Sequence, residues 1–106
     1  MAAILECEAG ATYEGMIAVG TVIMNRVASS RFPNNVKDVI YQSGQFSPVN
    51  SGKLDRVLKR GPISSAYKAA KAVLGGERHP KVANCLFFNA SYTGKKGIHV
   101  GGNVFW

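Results

Sequence analysis

A chain of 106 residues is one domain's length, with room for one core and one cleft. Hydrophobic residues at 46% against 18% charged exclude a disordered chain, and the lack of any run of about 18 apolar residues excludes a membrane-spanning helix. The net charge of +7 favours anionic partners, and nucleic acid, lipid headgroups and acidic wall polymers all satisfy it equally.

In chain order, Ala2 to Ala9 is compatible with a short helix ended by Gly10. It lacks the basic and long apolar regions of a signal peptide and reads as a helix entered partway, as in a domain whose export signal has been removed. Tyr13 to Ala28 is the strongest helical segment: Met16, Val19, Ile23 and Val27 recur at helical spacing. Ile17, Ala18, Val22 and Met24 widen that stripe until little polar face is left, which predicts a central core helix. Thr12 is its expected N-cap, and Glu14 suits the positive end of its dipole. Phe32-Pro33-Asn34-Asn35 interrupts the chain, and one of the two Asn residues can cap a short helix that turns Val36, Val39 and Ile40 inward. Gln42 to Lys53, rich in Ser, Gly, Asn and Pro, reads as a structured loop. The basic cluster from Lys53 to Arg60 reads as a solvated face, with Asp55 ion-paired inside it. Pro62 and Ser64 open a helix that runs to Leu74, with Ala66, Ala70, Val73 and Leu74 apolar and Lys68 and Lys71 outward; Gly75-Gly76 stops it.

The last third changes character. Cys85-Leu86-Phe87-Phe88 is a short apolar run with β tendency, and Ile98-His99-Val100 and Asn103 to Trp106 flank Gly101-Gly102, a hairpin signal. Helices followed by a small antiparallel sheet predict a single α+β domain over residues 1–106.

Six carboxylates are the whole supply of acids: Glu6, Glu8, Glu14, Asp38, Asp55 and Glu77. Asp38 and Glu77 read as surface charges. Glu8 differs, because it follows Ala3-Ile4-Leu5 and Cys7 and precedes Ala9-Gly10. Apolar neighbours desolvate a carboxyl group and raise its pKa, and an acid still protonated near neutral pH can protonate a glycosidic oxygen. The competing reading is a half-buried Glu bound to an amide or an Arg. Glu6, two positions away on a helix, points elsewhere and is a poor second carboxylate. Gln45, Phe46 and Ser47, with Phe88, Asn89 and Tyr92, have the mixture of aromatic faces and hydrogen-bonding groups that a carbohydrate cleft uses; Phe46 and Phe88 serve equally well as core residues. Cys7 with His79 or His99 would make a thiolate nucleophile and its base, the chemistry of a wall peptidase or amidase, though no local signature accompanies them. His79 looks like part of an exposed turn, and His99 looks like a strand residue facing a cross-strand partner. Cys7 and Cys85 fit no metal spacing; free, buried thiols are the expected reading, with a single bridge between them the alternative for an exported protein, and neither a metal nor another cofactor is called for.

Read as a string, the chain resembles the cell wall hydrolase family that contains the spore cortex-lytic enzymes of the SleB and CwlJ type. Glu8-Ala9-Gly10 followed by Tyr13-Glu14-Gly15 is similar to the family's opening motif, and Val22-Ile23-Met24-Asn25-Arg26-Val27 to its core helix. Arg31-Phe32-Pro33-Asn34, Gln45-Phe46-Ser47-Pro48-Val49, Phe87-Phe88-Asn89 and Val104-Phe105 match the remaining blocks in order. The opening stretch departs from the pattern Glu-Ala-x-Gly-Glu-Pro-Tyr-Glu-Gly by being one residue shorter and lacking the middle acid, and Asn103 stands where many members carry His.

The resemblance implies a lysozyme-like fold, with a helical lobe and a small β lobe flanking a cleft. It implies peptidoglycan as substrate, in the spore cortex or the vegetative wall, and cleavage between N-acetylmuramic acid and N-acetylglucosamine by a lytic transglycosylase during germination. Its acid maps onto Glu8, and Gln45, Phe46, Ser47, Phe88, Asn89 and Tyr92 are the expected substrate contacts. It places the protein at the cortex, coat or extracytoplasmic wall, with an accessory spore or wall protein as a further partner. The contrasting readings are a basic wall-binding or phage structural module without turnover and, from charge alone, a nucleic-acid binder, which would require binding that weakens steeply with salt; no nucleic-acid partner is expected.

Overall fold

The computed structural model describes residues 1–42 and 51–106. Five helices occur among them: α1 (Ala2–Ala9), α2 (Tyr13–Ala28), α3 (Val36–Ile40), α4 (Lys53–Arg60) and α5 (Ser64–Leu74). The strands β1 (Phe88–Ala90), β2 (Ile98–Val100) and β3 (Asn103–Phe105) follow, with single 3-10 turns at Pro80–Val82 and Ser91–Thr93. The expected α+β order is found.

The core is organised around α2, whose residues from Gly15 to Ile23 are all buried. Thr12 caps it as expected, its hydroxyl accepting from the Gly15 amide at 3.0 Å. Gly20 is the contact point with α5: a Cβ there would lie 2.6 Å from a Val73 methyl, so the two helices meet at a distance only glycine permits. α1 lies against both, burying Ala2, Ala3, Ile4 and Leu5. Asn35 caps α3, accepting from the Asp38 amide at 2.9 Å while its own amide donates to the Asp38 carboxylate.

Three expectations need correction. The charged residues of Lys53 to Arg60 are exposed, as a solvated face requires, but the segment is also the helix α4, seated by the buried Leu54 and Val57, an i, i+3 apolar pair that its charges hid. Leu74 is exposed, and Ala69 takes the inward position on α5. His79 is buried, with its backbone amide donating to the Thr21 hydroxyl at 2.9 Å.

The sheet has the order β1-β3-β2 and is antiparallel throughout. β3, the last in sequence, is central, and all three of its residues are buried. The Gly101-Gly102 hairpin forms as expected, pairing Val100 with Asn103, and Gly101 takes φ 59 at the turn. Of the apolar run 85–88, only Phe88 lies in a strand; the amides of Leu86 and Phe87 donate to the Trp106 carbonyl just beyond the ladder.

The sheet is fastened to the helices by the end of α2. Asn25 Nδ2 donates to the carbonyls of Ala83 at 3.0 Å and Cys85 at 2.9 Å. Arg26 Nε donates to the Leu86 carbonyl at 2.8 Å, and its guanidinium lies over the rings of Phe32 and Phe87. The Asn-Arg-Val string therefore has a structural use: it satisfies three carbonyls of a segment that enters the sheet from irregular backbone.

Candidate active site

The last turn of α1 borders an open groove of about 470 Å³, within the size range of small-molecule sites. Glu6, Cys7, Glu8 and Thr12 line one side, Lys53 of α4 another, and Gly102 of the β hairpin closes it. The groove thus lies where the helical part meets the sheet.

Gly10 ends α1 in a right-handed helical conformation, its amide donating to the Glu6 carbonyl. A Cβ at Gly10 would stand 2.6 Å from that carbonyl oxygen, so glycine is needed for so tight an exit. Three residues later α2 begins, and this short corner presents Glu8 at the groove wall.

Glu8 is half-buried, and burial pushes its carboxyl above the ordinary range, opposed in part by the positive charge of Lys53. Among the described residues its carboxyl oxygens have no hydrogen-bond partner, so the alternative of a Glu locked to an Arg or a backbone amide does not describe it. Glu6 borders the same groove yet is bound elsewhere. Burial pushes its carboxyl up as well, but the Ile63 amide, at 2.8 Å, and the Arg60 guanidinium outweigh that and hold it below the ordinary range. On the far side of the corner, Glu14 accepts from the buried His79 ring at 2.8 Å, and that bond holds its carboxyl low. The other ring nitrogen of His79 accepts from the Lys81 amide, which leaves the proton on Nε2 facing Glu14.

Both cysteines are free. Cys7 lines the groove, but burial raises its thiol pKa, the opposite of what an activated nucleophile requires. Among the described residues neither cysteine is hydrogen-bonded to a histidine: His79 is engaged with Glu14, and His99 Nδ1 lies 3.0 Å from the Ser91 hydroxyl.

Of the expected sugar contacts, Gln45, Phe46 and Ser47 lie outside the described residues. Phe88, Asn89 and Tyr92 sit on the β lobe and are not brought to the groove wall at Glu8. Phe88 stacks on Phe105 and packs against the core, Asn89 accepts from the Ala90 amide with its own side chain, and Tyr92 projects into solvent with 92% of its surface exposed. Sequence reasoning missed Lys53 and Asn103. Lys53 Nζ donates to the Cys7 carbonyl at 3.2 Å, and Asn103 Nδ2 donates to the Glu8 carbonyl at 3.0 Å. Lys53 was visible only as one charge in a cluster, and Asn103 only as a departure from the family pattern.

This arrangement has recognisable relatives. A spore cortex-lytic enzyme of Bacillus cereus is 44% identical over 67 residues, covering 63% of this chain and 24% of that protein. The spore cortex-lytic enzyme of Halalkalibacterium halodurans is 34% identical over 80 residues, covering 76% of this chain and 23% of that protein. The chain therefore spans about a quarter of the length of these curated relatives. Among solved structures, the catalytic domain of the germination-specific lytic transglycosylase SleB from Bacillus anthracis superposes with a TM-score of 0.81 at 29% identity, over 99% of this chain and 88% of that one. The catalytic domain of Bacillus cereus SleB gives 0.79 at 29% identity, over 99% and 84%. The fold is thus the lysozyme-like α+β arrangement that the resemblance implied. The family model described as Cell Wall Hydrolase matches residues 10–103, nearly the whole chain, beginning two residues after Glu8. The chain belongs to the cell wall hydrolase family.

Proposed function

We propose that this chain cleaves peptidoglycan glycan strands as a lytic transglycosylase, with the spore cortex as its substrate and Glu8 as its single acid and base. One observation carries the reading: of the six carboxyl groups, Glu8 alone borders the groove both desolvated and without a bonding partner. Family membership and the likeness to the SleB catalytic domains support the substrate class and the type of reaction. The net positive charge suits an anionic wall polymer and favours encounter with it.

The chemistry needs one carboxyl group. Protonated Glu8 gives its proton to the bridging oxygen as the bond from that oxygen to the muramic C1 breaks. The carboxylate left behind takes the proton from the same sugar's C6 hydroxyl as its oxygen bonds to C1. The product is a 1,6-anhydromuramic end, and Glu8 is protonated again for the next cycle. A retaining hydrolase instead needs a second free carboxylate about 5–5.5 Å away as nucleophile. Glu6, the other acid bordering the groove, is occupied by Arg60 and the Ile63 amide and is unsuited to that part. Tyr92, exposed on the β lobe, offers a face for a sugar further along the strand.

The test is mass spectrometry of the products released from isolated cortex peptidoglycan. Anhydromuramic ends are expected. Reducing muramic ends would replace transglycosylation with hydrolysis, and free stem peptides would overturn glycan cleavage in favour of the cysteine chemistry.

A further inference from the structure

The helix that carries the acid depends on other elements to finish it. The last four carbonyls of an α-helix have no partner within the helix. In α1 the outer two are met locally, Glu6 by the Gly10 amide at 3.0 Å and Ala9 by the Thr12 amide at 3.3 Å. The inner two are met by side chains from remote elements: Cys7 by Lys53, the first residue of α4, and Glu8 by Asn103, the first residue of β3. The two donors differ in kind. Lys53 is exposed and brings a positive charge that draws the nearby carboxyl groups toward ionisation. Asn103 is 5% exposed and uncharged. It is paired with Ala90 on one side and Val100 on the other, so its position is fixed by both neighbouring strands. The hairpin it ends rests on the α1–α2 corner, where a Cβ at Gly101 would lie 3.2 Å from Gly15 Cα.

We propose that Asn103 is a positioning residue for the reaction: its amide holds the Glu8 carbonyl, fixes the backbone from which the acid is aimed into the groove, and ties that aim to the β sheet. This rests on the reading of Glu8 as the acid. An amide suits the place physically, because it donates a hydrogen bond without adding charge beside a group that must be protonated to work. An Asp of the same shape, once ionised, has no proton to donate and turns an oxygen toward the carbonyl. Protonated, it regains a donor.

The experiment compares Asn103→Ala, Asn103→Asp and Glu8→Gln with the unmodified chain, on solubilised cortex glycan strands. It measures kcat and KM from pH 4 to pH 8, with thermal unfolding at each pH. Misplacing a catalytic group by about 1 Å can cost roughly 100-fold. Asn103→Ala is therefore expected to lower kcat by about 10- to 100-fold while KM moves by no more than about twofold. Asn103→Asp should match it at pH 7 and recover toward the unmodified kcat as the new carboxyl protonates, at pH values where both proteins are fully folded. Wild-type kcat in both Asn103 variants, with Glu8→Gln inactive, overturns the positioning role and leaves Glu8 standing. A kcat deficit in Asn103→Asp that does not change with pH, or losses that follow the unfolded fraction alone, also overturns it. Activity retained in Glu8→Gln removes the acid itself, and the positioning role with it.

Discussion

The seam between α2 and the sheet and the end of α1 are both places where polar side chains cross between lobes, and they are built on opposite terms. At the seam the polar groups are engaged: Asn25 meets two carbonyls, and Arg26 meets a third while lying over two aromatic rings. At the end of α1 the backbone carbonyls are equally well satisfied, but the Glu8 carboxyl they support is left desolvated and unpaired. The difference separates a polar residue that holds a fold together from one left with its bonding capacity unused, which is the state the proposed acid requires. Glu6 makes the contrast sharper, because two residues from Glu8 on the same helix its carboxyl is drawn low by partners.

The largest effect expected from breaking this contrast is at Glu8. Glu8→Gln removes the proposed proton donor while keeping the shape, and general acid–base catalysis contributes about 100- to 10,000-fold; release of muropeptides should fall by that order. Stability should move the other way. A carboxyl whose pKa is raised by folding favours the folded state below its unfolded value and loses that contribution as pH rises through the folded value. Glu8→Gln should therefore unfold at a higher temperature than the unmodified chain at pH 8, with the advantage gone near pH 4.

At the seam the loss should be of stability. Arg26→Met keeps much of the volume but leaves the Leu86 carbonyl without its donor, at a cost of about 1–3 kcal/mol in denaturant unfolding. Asn25→Ala should cost a similar amount, and turnover per folded molecule should hold in both. A smaller effect, read in the pH profile, is expected at Lys53, an exposed donor to the Cys7 carbonyl. Its charge pulls Glu8 toward ionisation, so Lys53→Met should raise the Glu8 pKa further and move the alkaline limb of the activity profile to higher pH. The smallest effect belongs to Glu6. Its depressed pKa contributes stability above the ordinary carboxylate range that is lost as pH falls. Because Arg60 is largely exposed, Glu6→Gln should cost less than about 1 kcal/mol at pH 7, and nothing in acid.

What the sequence made legible was local. The spans Ala2–Ala9 and Tyr13–Ala28, the Thr12 cap and the Gly101-Gly102 hairpin are each specified by residues within a few positions of one another. The raised pKa of Glu8 agrees in direction with the reading of its apolar sequence surroundings. α4 was hidden because the charges of Lys53 to Arg60 outnumber the two residues that seat it. His79 looked exposed because the partner that makes its burial tolerable, Glu14, lies 65 residues away. The Asn103 bond to Glu8 spans 95 residues, and the Asn25 and Arg26 bonds span 58 to 60. No periodicity reaches across such separations; only the fold brings those groups together.

The most direct test of the central contrast is a carbon-13 NMR titration of the glutamate side-chain carboxyls, assigned with Glu8→Gln and Glu6→Gln. Glu8 should titrate above the ordinary value of 4.5 and Glu6 below it. A Glu8 carboxyl that ionises at or below the Glu6 midpoint would contradict the account, because an acid already spent at that pH has no proton to give the glycan.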